Sequence, residues 1–253
     1  MNGTGDFASG TARLYAPAAI LFLASLAATI HLCGSMSGGM AMPGDWTMSM
    51  MWMRMPGQGW AVSIALFLFM WLAMMVAMML PSAAPMLLRF RPGTTAMLVA
   101  CGYFAVWLLV GLVVYTLGAV WALAVMRSAA LSRAVPALGG AMLVLAGALQ
   151  LGRWERIGLT RCCDPLCRRT ATSGPESSSA LAEGLRQGLS CVQCCAGPML
   201  ALLAMGVMNF LAMIAVAVVI ASEKLLPHPR FVVLTTGWLG IVAGAVVVSR
   251  ALL

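Results

Sequence analysis

The chain is 253 residues long, 62% hydrophobic and only 9% charged, and it carries 22 Met and 8 Cys against 2 His. That balance leaves too little polar surface to wrap a soluble globule of this size, so the chain reads as a membrane protein. The shortage of His, Tyr and acidic residues excludes an acid-base hydrolase of ordinary type and argues against bis-His haem ligation. The formal charge of +8 comes from Lys and Arg in short loops between apolar runs, which is a pattern of membrane orientation and not of nucleic-acid binding.

A bilayer core of about 30 Å needs about 20 apolar residues as a helix, and several runs qualify. The first, Tyr15 to Leu32, follows a weakly basic stretch, and Cys33 lacks a lipobox before it, so the run reads as a retained helix and not as a signal peptide. The second, Ala61 to Leu80, ends at Pro81 and Pro85, which cannot donate a backbone hydrogen bond. The third, Thr95 to Met126, carries Gly102, Gly111 and Gly118, small residues that let helices approach closely. The fourth runs from Val135 to Leu151.

A polar loop from Gly152 to Gly188 then holds Arg153, Arg156, Arg161, Arg168, Arg169 and Arg186, which places it in the cytoplasm. Counting back puts the N-terminus inside and the Met-rich segment after the first helix outside. From Cys195 to Ala221 there is apolar length for one tilted span, with a break available at Gly206 to Asn209, and the last run is Phe231 to Val248. The expected fold is all-α: one integral membrane domain, 1–253, forming a polytopic transmembrane helical bundle of about six spans, with seven as the alternative. Residues 31–60 are its Met-rich extracytoplasmic loop and 152–190 its Cys- and Arg-containing cytoplasmic loop.

Sulfur concentrates in three places. The segment from His31 to Met55 sets Met36, Met40, Met42, Met48, Met50, Met51, Met53 and Met55 among Gly and polar residues, with His31 and Cys33 beside them. Core packing does not account for Met in a loop, whereas neutral thioethers suit Cu(I) above harder ions; an interfacial anchor around Met51-Trp52-Met53 is the structural alternative. On the second helix Met70, Met74 and Met78 form one row at four-residue spacing and Met75 and Met79 a second. Pro81 frees the carbonyl of Ala77 beside them. The third cluster is Cys191, Cys194 and Cys195, followed by Pro198 and Met199. Pro198 favours a first helical turn, which puts the cysteines at or just before a helix N-terminus; if the segment is already helical, Cys191, Cys195 and Met199 align. Cu(I), Zn(II) and a redox or structural thiol pair are all open readings of this cluster, and Cys162, Cys163 and Cys167 add thiols in the adjoining loop.

Smaller features read as structural. Glu223 and Lys224 suggest an ion pair or snorkelling at a span end, Asn209 interhelical glue, Cys101 a small buried residue and His228 a loop.

The runs MWLAMMVAMMLPSAAPM, GLSCVQCCAGPMLALLAMGVMN and EKLLP, in that order between Ala61 and Pro227, resemble a bacterial family of unknown function described as predicted metal-binding integral membrane proteins. The resemblance implies a multi-pass protein of the bacterial inner membrane with a metal site. Cys191, Cys194 and Cys195 match its suspected metal-binding positions, as do Met74, Met75, Met78 and Met79. This chain has Gln193-Cys194-Cys195-Ala196 where the family usually has Gly-Cys-Cys-Trp. The expected function is handling of a soft metal, Cu(I) first and zinc as the alternative, by transport or by delivery to a periplasmic copper chaperone or cuproprotein. A membrane subunit of a copper or thiol-disulfide redox enzyme, and a structural subunit with Met-rich packing, are the other readings. A non-enzymatic role is favoured, the lipid bilayer is the expected surrounding, and an oligomer is compatible with it. The sequence shows no P-loop and no DKTG phosphorylation motif, so movement of metal would be downhill or partner-driven.

Overall fold

Each long apolar run is helical in the computed structural model, which describes residues 19–31, 34, 39–43, 46–52, 57–87, 94–152, 177–226 and 229–252. A helix satisfies every backbone N–H and C=O within its own segment, which hydrocarbon surroundings demand. In chain order the helices are α1 (Ala19–His31), α2 (Trp60–Leu87), α3 (Thr94–Arg127), α4 (Ala129–Leu151), α5 (Ser177–Cys194), α6 (Ala196–Met205), α7 (Phe210–Leu225) and α8 (Pro229–Leu252). With 89% of the described structure helical, the all-α expectation holds with one addition. Strands β1 (Gly39–Met42) and β2 (Trp46–Ser49) pair antiparallel, Met40 opposite Met48 and Met42 opposite Trp46, and a 3-10 turn follows at Met50–Trp52.

Among the described residues four helices are long and apolar enough to cross a membrane: α2 over Trp60–Ala83, α3, α4, and α8 over Arg230–Leu252. Helices α5 and α6 meet at a bend of 61° and add a fifth if together they form one span. By length and composition the described residues therefore give four or five, and the described part of α1 is a shorter apolar helix, so the expected six are not all accounted for.

Several boundaries differ from the sequence expectation, each for a local reason. Helix α2 passes through Pro81 and Pro85 instead of stopping at Leu80; Ser82 Oγ donates to the Met79 carbonyl at 2.9 Å beside the bond that Pro81 cannot make. Helix α4 starts at Ala129, ahead of Val135, because Ser128 caps it by accepting from Leu131 N at 3.3 Å. Pro136 inside α4 leaves the Ser132 carbonyl without its helical donor. The Trp46 indole supplies one at 3.0 Å, and Ser132 Oγ donates to Pro43 O at 2.8 Å, so the proline break is where the hairpin docks.

The apolar stretch from Cys195 to Ala221 is two helices and not one tilted span. Gly206, at φ 94°, ends α6, and Asn209 Oδ1 accepts from Ala212 N at 3.1 Å to start α7. Asn209 is thus a helix cap and not interhelical glue. Helix α5 begins at Ser177, inside the stretch expected as a loop.

Glycines set which helices touch. A Cβ at Gly102 of α3 would strike the backbone of Leu181 and Leu185, and one at Gly184 of α5 would strike Val99, so these two helices lie backbone to backbone and run in the same direction. Gly140 meets the Gly244 carbonyl, and Gly147 meets the Gly237 carbonyl, so α4 and α8 run antiparallel. Gly111 and Gly118 make room for the rings of Trp71 and Trp52, and the Trp71 indole donates to the Trp107 carbonyl at 2.9 Å, locking α2 against α3. Helix α2 is the central element: 56% of its apolar window is buried, against 17% for α8.

A buried polar group joins α4, α7 and α8. Gln150 Nε2 donates to Glu223 Oε1 and to Thr236 Oγ1, each at 2.6 Å, and Glu223 is 2% exposed. A carboxyl buried among apolar helices needs such a donor. Replacing Gln150 with Leu should therefore cost about 1–3 kcal/mol of stability in thermal or denaturant unfolding in detergent, since Glu223 loses its amide donor. Gly147→Leu should be destabilising by about 1–3 kcal/mol, through overpacking against α8, and should broaden or shift the size-exclusion peak.

Candidate metal centre

Cys191 and Cys194 lie in the last turn of α5, Cys195 at the junction, and Pro198 and Met199 in the first turn of α6. Pro198 fits there because first-turn N–H groups have no helical acceptor. Helical bonds nevertheless continue across the bend, Cys195 N to Cys191 O and Met199 N to Cys195 O, both 2.9 Å. Both geometries open from the sequence are realised at once: Cys191 and Cys195 stack at four-residue spacing, and Cys195 stands at the N-cap position of the following helix without a side-chain cap hydrogen bond.

The three sulfurs all lie within 4.8 Å of one another. Cys191 Sγ is 3.8 Å from Cys195 Sγ, and Cys194 Sγ is 3.7 Å from Cys195 Sγ. Thiolates that share one tetrahedral ion at about 2.3 Å stand roughly 3.8 Å apart, so the spacing suits an ion without rearrangement. Cys194 Sγ also donates to the Cys191 carbonyl at 3.3 Å. Each of the three residues is 1% exposed.

Helix α2 supplies a fourth sulfur. Met79 Sδ lies 4.0 Å from Cys191 Sγ, which joins the second and third sulfur clusters of the sequence at one point. Met70, Met74, Met75, Met78 and Met79 are all buried in the core cluster that holds the cysteines, together with Met199 and Met213. At a rise of about 1.5 Å per residue the α2 methionines extend roughly 13 Å from Met70 to Met79.

Two residues at this centre were not expected from the sequence. Lys224 reaches in from α7, its Nζ donating to Cys191 Sγ at 2.9 Å, in place of an ion pair with Glu223 or snorkelling to the interface. Tyr103 Oη of α3 lies 2.9 Å from the same sulfur and shares a hydrogen bond with it. A lysine beside a span end is a signal that could have been pursued; Tyr103 carries no such signal, because only helix packing brings it there.

The outer sulfur segment divides. Met48 and Met51 are buried core residues, contrary to the expectation that core packing does not account for Met in this loop. Met48 packs with Ala122 and Val125 of α3. Trp52 lies 5.7 Å from the Phe67 ring, and Phe67 lies 5.9 Å from Trp71 and 4.9 Å from Tyr115, an aromatic group between the hairpin and the α2 methionines. Met40 is exposed on β1 and His31 is exposed at the end of α1. Met36, Cys33, Met53, Met55, Cys162, Cys163, Cys167 and His228 lie outside the described residues. Cys101 is exposed on α3, where a small buried residue was expected, since its side of the helix faces away from α5.

The donor set of three cysteines and a thioether is one that could hold a soft metal ion. No curated protein and no solved structure matches the chain. A family model described as copper chaperone matches residues 68–247. That stretch contains every residue of the sulfur centre, and the chain belongs to this copper chaperone family.

Proposed function

We propose that the protein takes Cu(I) as its cargo at Cys191, Cys194 and Cys195, with Met79 as a fourth sulfur, and works in the bacterial inner membrane. There it delivers copper to a partner cuproprotein or moves it across the bilayer. The observation that carries this reading is the convergence of four sulfurs from two helices in a buried core lined by methionine. Soft thiolate and thioether ligands favour Cu(I) over harder ions. Zinc at a closed four-ligand site is the rival, and a thioether in fourth place favours copper over it.

Helix directions support a bundle of about six crossings. Helices α3 and α5 run the same way, α2 and α4 run against α3, and α4 and α8 are antiparallel, so α6 and α8 point alike and α7 must return the chain between them. Passes α2, α3, α4, α5–α6, α7 and α8 make six, and α1 would make seven. The C-terminal end of α4 and the N-terminal end of α5 lie on the cysteine side, and because the sequence that joins them is Arg-rich the positive-inside rule assigns that side to the cytoplasm, with the hairpin on the outer side. In this orientation the outer methionines capture Cu(I), the α2 rows relay it and the cysteines receive it.

Anaerobic Cu(I) loading followed by elemental analysis should give close to stoichiometric copper for the detergent-purified chain and almost none for a Cys191, Cys194, Cys195 triple-Ser variant. Zinc retained in place of copper, or copper equal in the two proteins, would remove the proposal. Met74→Leu with Met78→Leu should change stability by less than about 1.5 kcal/mol, as near-isosteric swaps do, while slowing the rate of copper loading several-fold. Unchanged loading would reduce the methionine rows to packing.

A further inference from the structure

A lysine at a cation site calls for an explanation, because it repels the ion that the site would hold. Lys224 Nζ and Tyr103 Oη each lie 2.9 Å from Cys191 Sγ. Cys195 Sγ at 3.8 Å and Met79 Sδ at 4.0 Å also neighbour that sulfur. A thiolate sulfur offers three lone pairs. With two turned to the ammonium and the phenol, one remains for an ion shared among the sulfurs, so the ammonium stands beside the ion and is not its substitute. Lys224 arrives on α7, next to Glu223, whose carboxyl is engaged by Gln150, so the positive charge is directed to the sulfur.

We propose that Lys224 is a specificity-determining residue of this centre, its positive charge selecting a monovalent soft cation over a divalent one. The inference rests on the copper reading above. Three thiolates around Cu(I) carry two net negative charges, and around Zn(II) only one. A neighbouring positive charge therefore stabilises the copper complex twice as strongly; put the other way, it repels the divalent ion twice as strongly as the monovalent one. This holds whatever the thiols' state before binding, because both complexes have the same ligands. With the ion about 4–5 Å from Nζ and an effective dielectric constant of about 20, one unit of charge difference corresponds to a relative affinity of roughly several hundredfold. Hydrogen bonds to a ligating sulfur act in addition to this effect, and they are similar for the two ions.

The test is the ratio of Cu(I) to Zn(II) affinity, each measured by competition with a chromophoric chelator, Cu(I) under anaerobic conditions. It uses the full detergent-purified chain as wild type, Lys224→Gln, Lys224→Met and Lys224→Arg. Gln keeps an N–H donor near Cys191 without the charge, and Arg keeps the charge. The ratio should fall roughly several hundredfold in the Gln and Met variants and stay within about threefold of wild type in the Arg variant. A ratio that stays within about threefold in the Gln and Met variants as well overturns the assignment and leaves Lys224 a structural contact. Should Lys224→Met fail to fold, the Gln and Arg pair decides alone. A wild type that binds neither ion would remove the copper reading itself, whereas a wild type that binds Cu(I) with an unmoved ratio in the variants removes only the role of Lys224.

Discussion

The close approach of α3 and α5 is the constraint on which the sulfur centre depends. With Gly102 facing Leu181 and Leu185, and Gly184 facing Val99, the two backbones touch where side chains would hold them apart. That contact brings Tyr103 to Cys191 and fixes the end of α5 against the face of α2 that carries Met79. Any larger residue at Gly102 or Gly184 would push α5 outward, and Cys191 would lose its contacts with α2 and α3 together. Small residues act here as they do in membrane bundles generally, by permitting packing that apolar burial alone does not drive.

The cysteines owe their convergence to helical spacing, and the bend at Cys195 falls just beyond it. In a straight helix Cys191, Cys194 and Cys195, spaced at i, i+3 and i+4, already share one face, with Cys191 between the other two around the axis. At the 61° junction the hydrogen bonds from Cys195 N and Met199 N persist, so that face is kept up to the bend and the three sulfurs lie within 4.8 Å of one another. Pro198 assists because a proline in the first turn of α6 removes a donor that the bend would leave without an acceptor.

The apolar runs were readable from length alone, and so were the methionine rows, because four-residue spacing survives in any helix. The cysteine cluster was readable from ligand type. What the sequence hid were events that depend on two distant segments. The Trp46 indole replaces the donor that Pro136 lacks, and neither residue announces the other. Lys224 lies beside Glu223 in sequence, so an ion pair was the natural expectation, yet successive helical positions face different neighbours, and the two side chains go to Cys191 and Gln150. The division of Cys195 to Ala221 into two helices turns on φ at Gly206, a freedom that glycine has everywhere and uses here.

Burial makes the order of ligands the remaining physical question for the proposed function. Under the proposed function, thiols that are 1% exposed would receive copper through protein and not directly from water, and the residues packed along α2 are thioethers. Neutral thioethers hold Cu(I) without a charge to desolvate and release it readily, while thiolates add charge and hold it more strongly. In the proposed function, sulfur that binds weakly along the way and strongly at the end would give a downhill path from the hairpin side to the cysteines with no energy source. The aromatic group of Trp52, Phe67, Trp71 and Tyr115 stands at the head of that path, where ring faces attract a cation but coordinate it poorly. A strongly held ion in a closed pocket then leaves only by exchange with a competing ligand. Delivery to a partner, in the proposed function, would therefore depend on the α5–α6 junction letting that ligand reach Cys194 or Cys195.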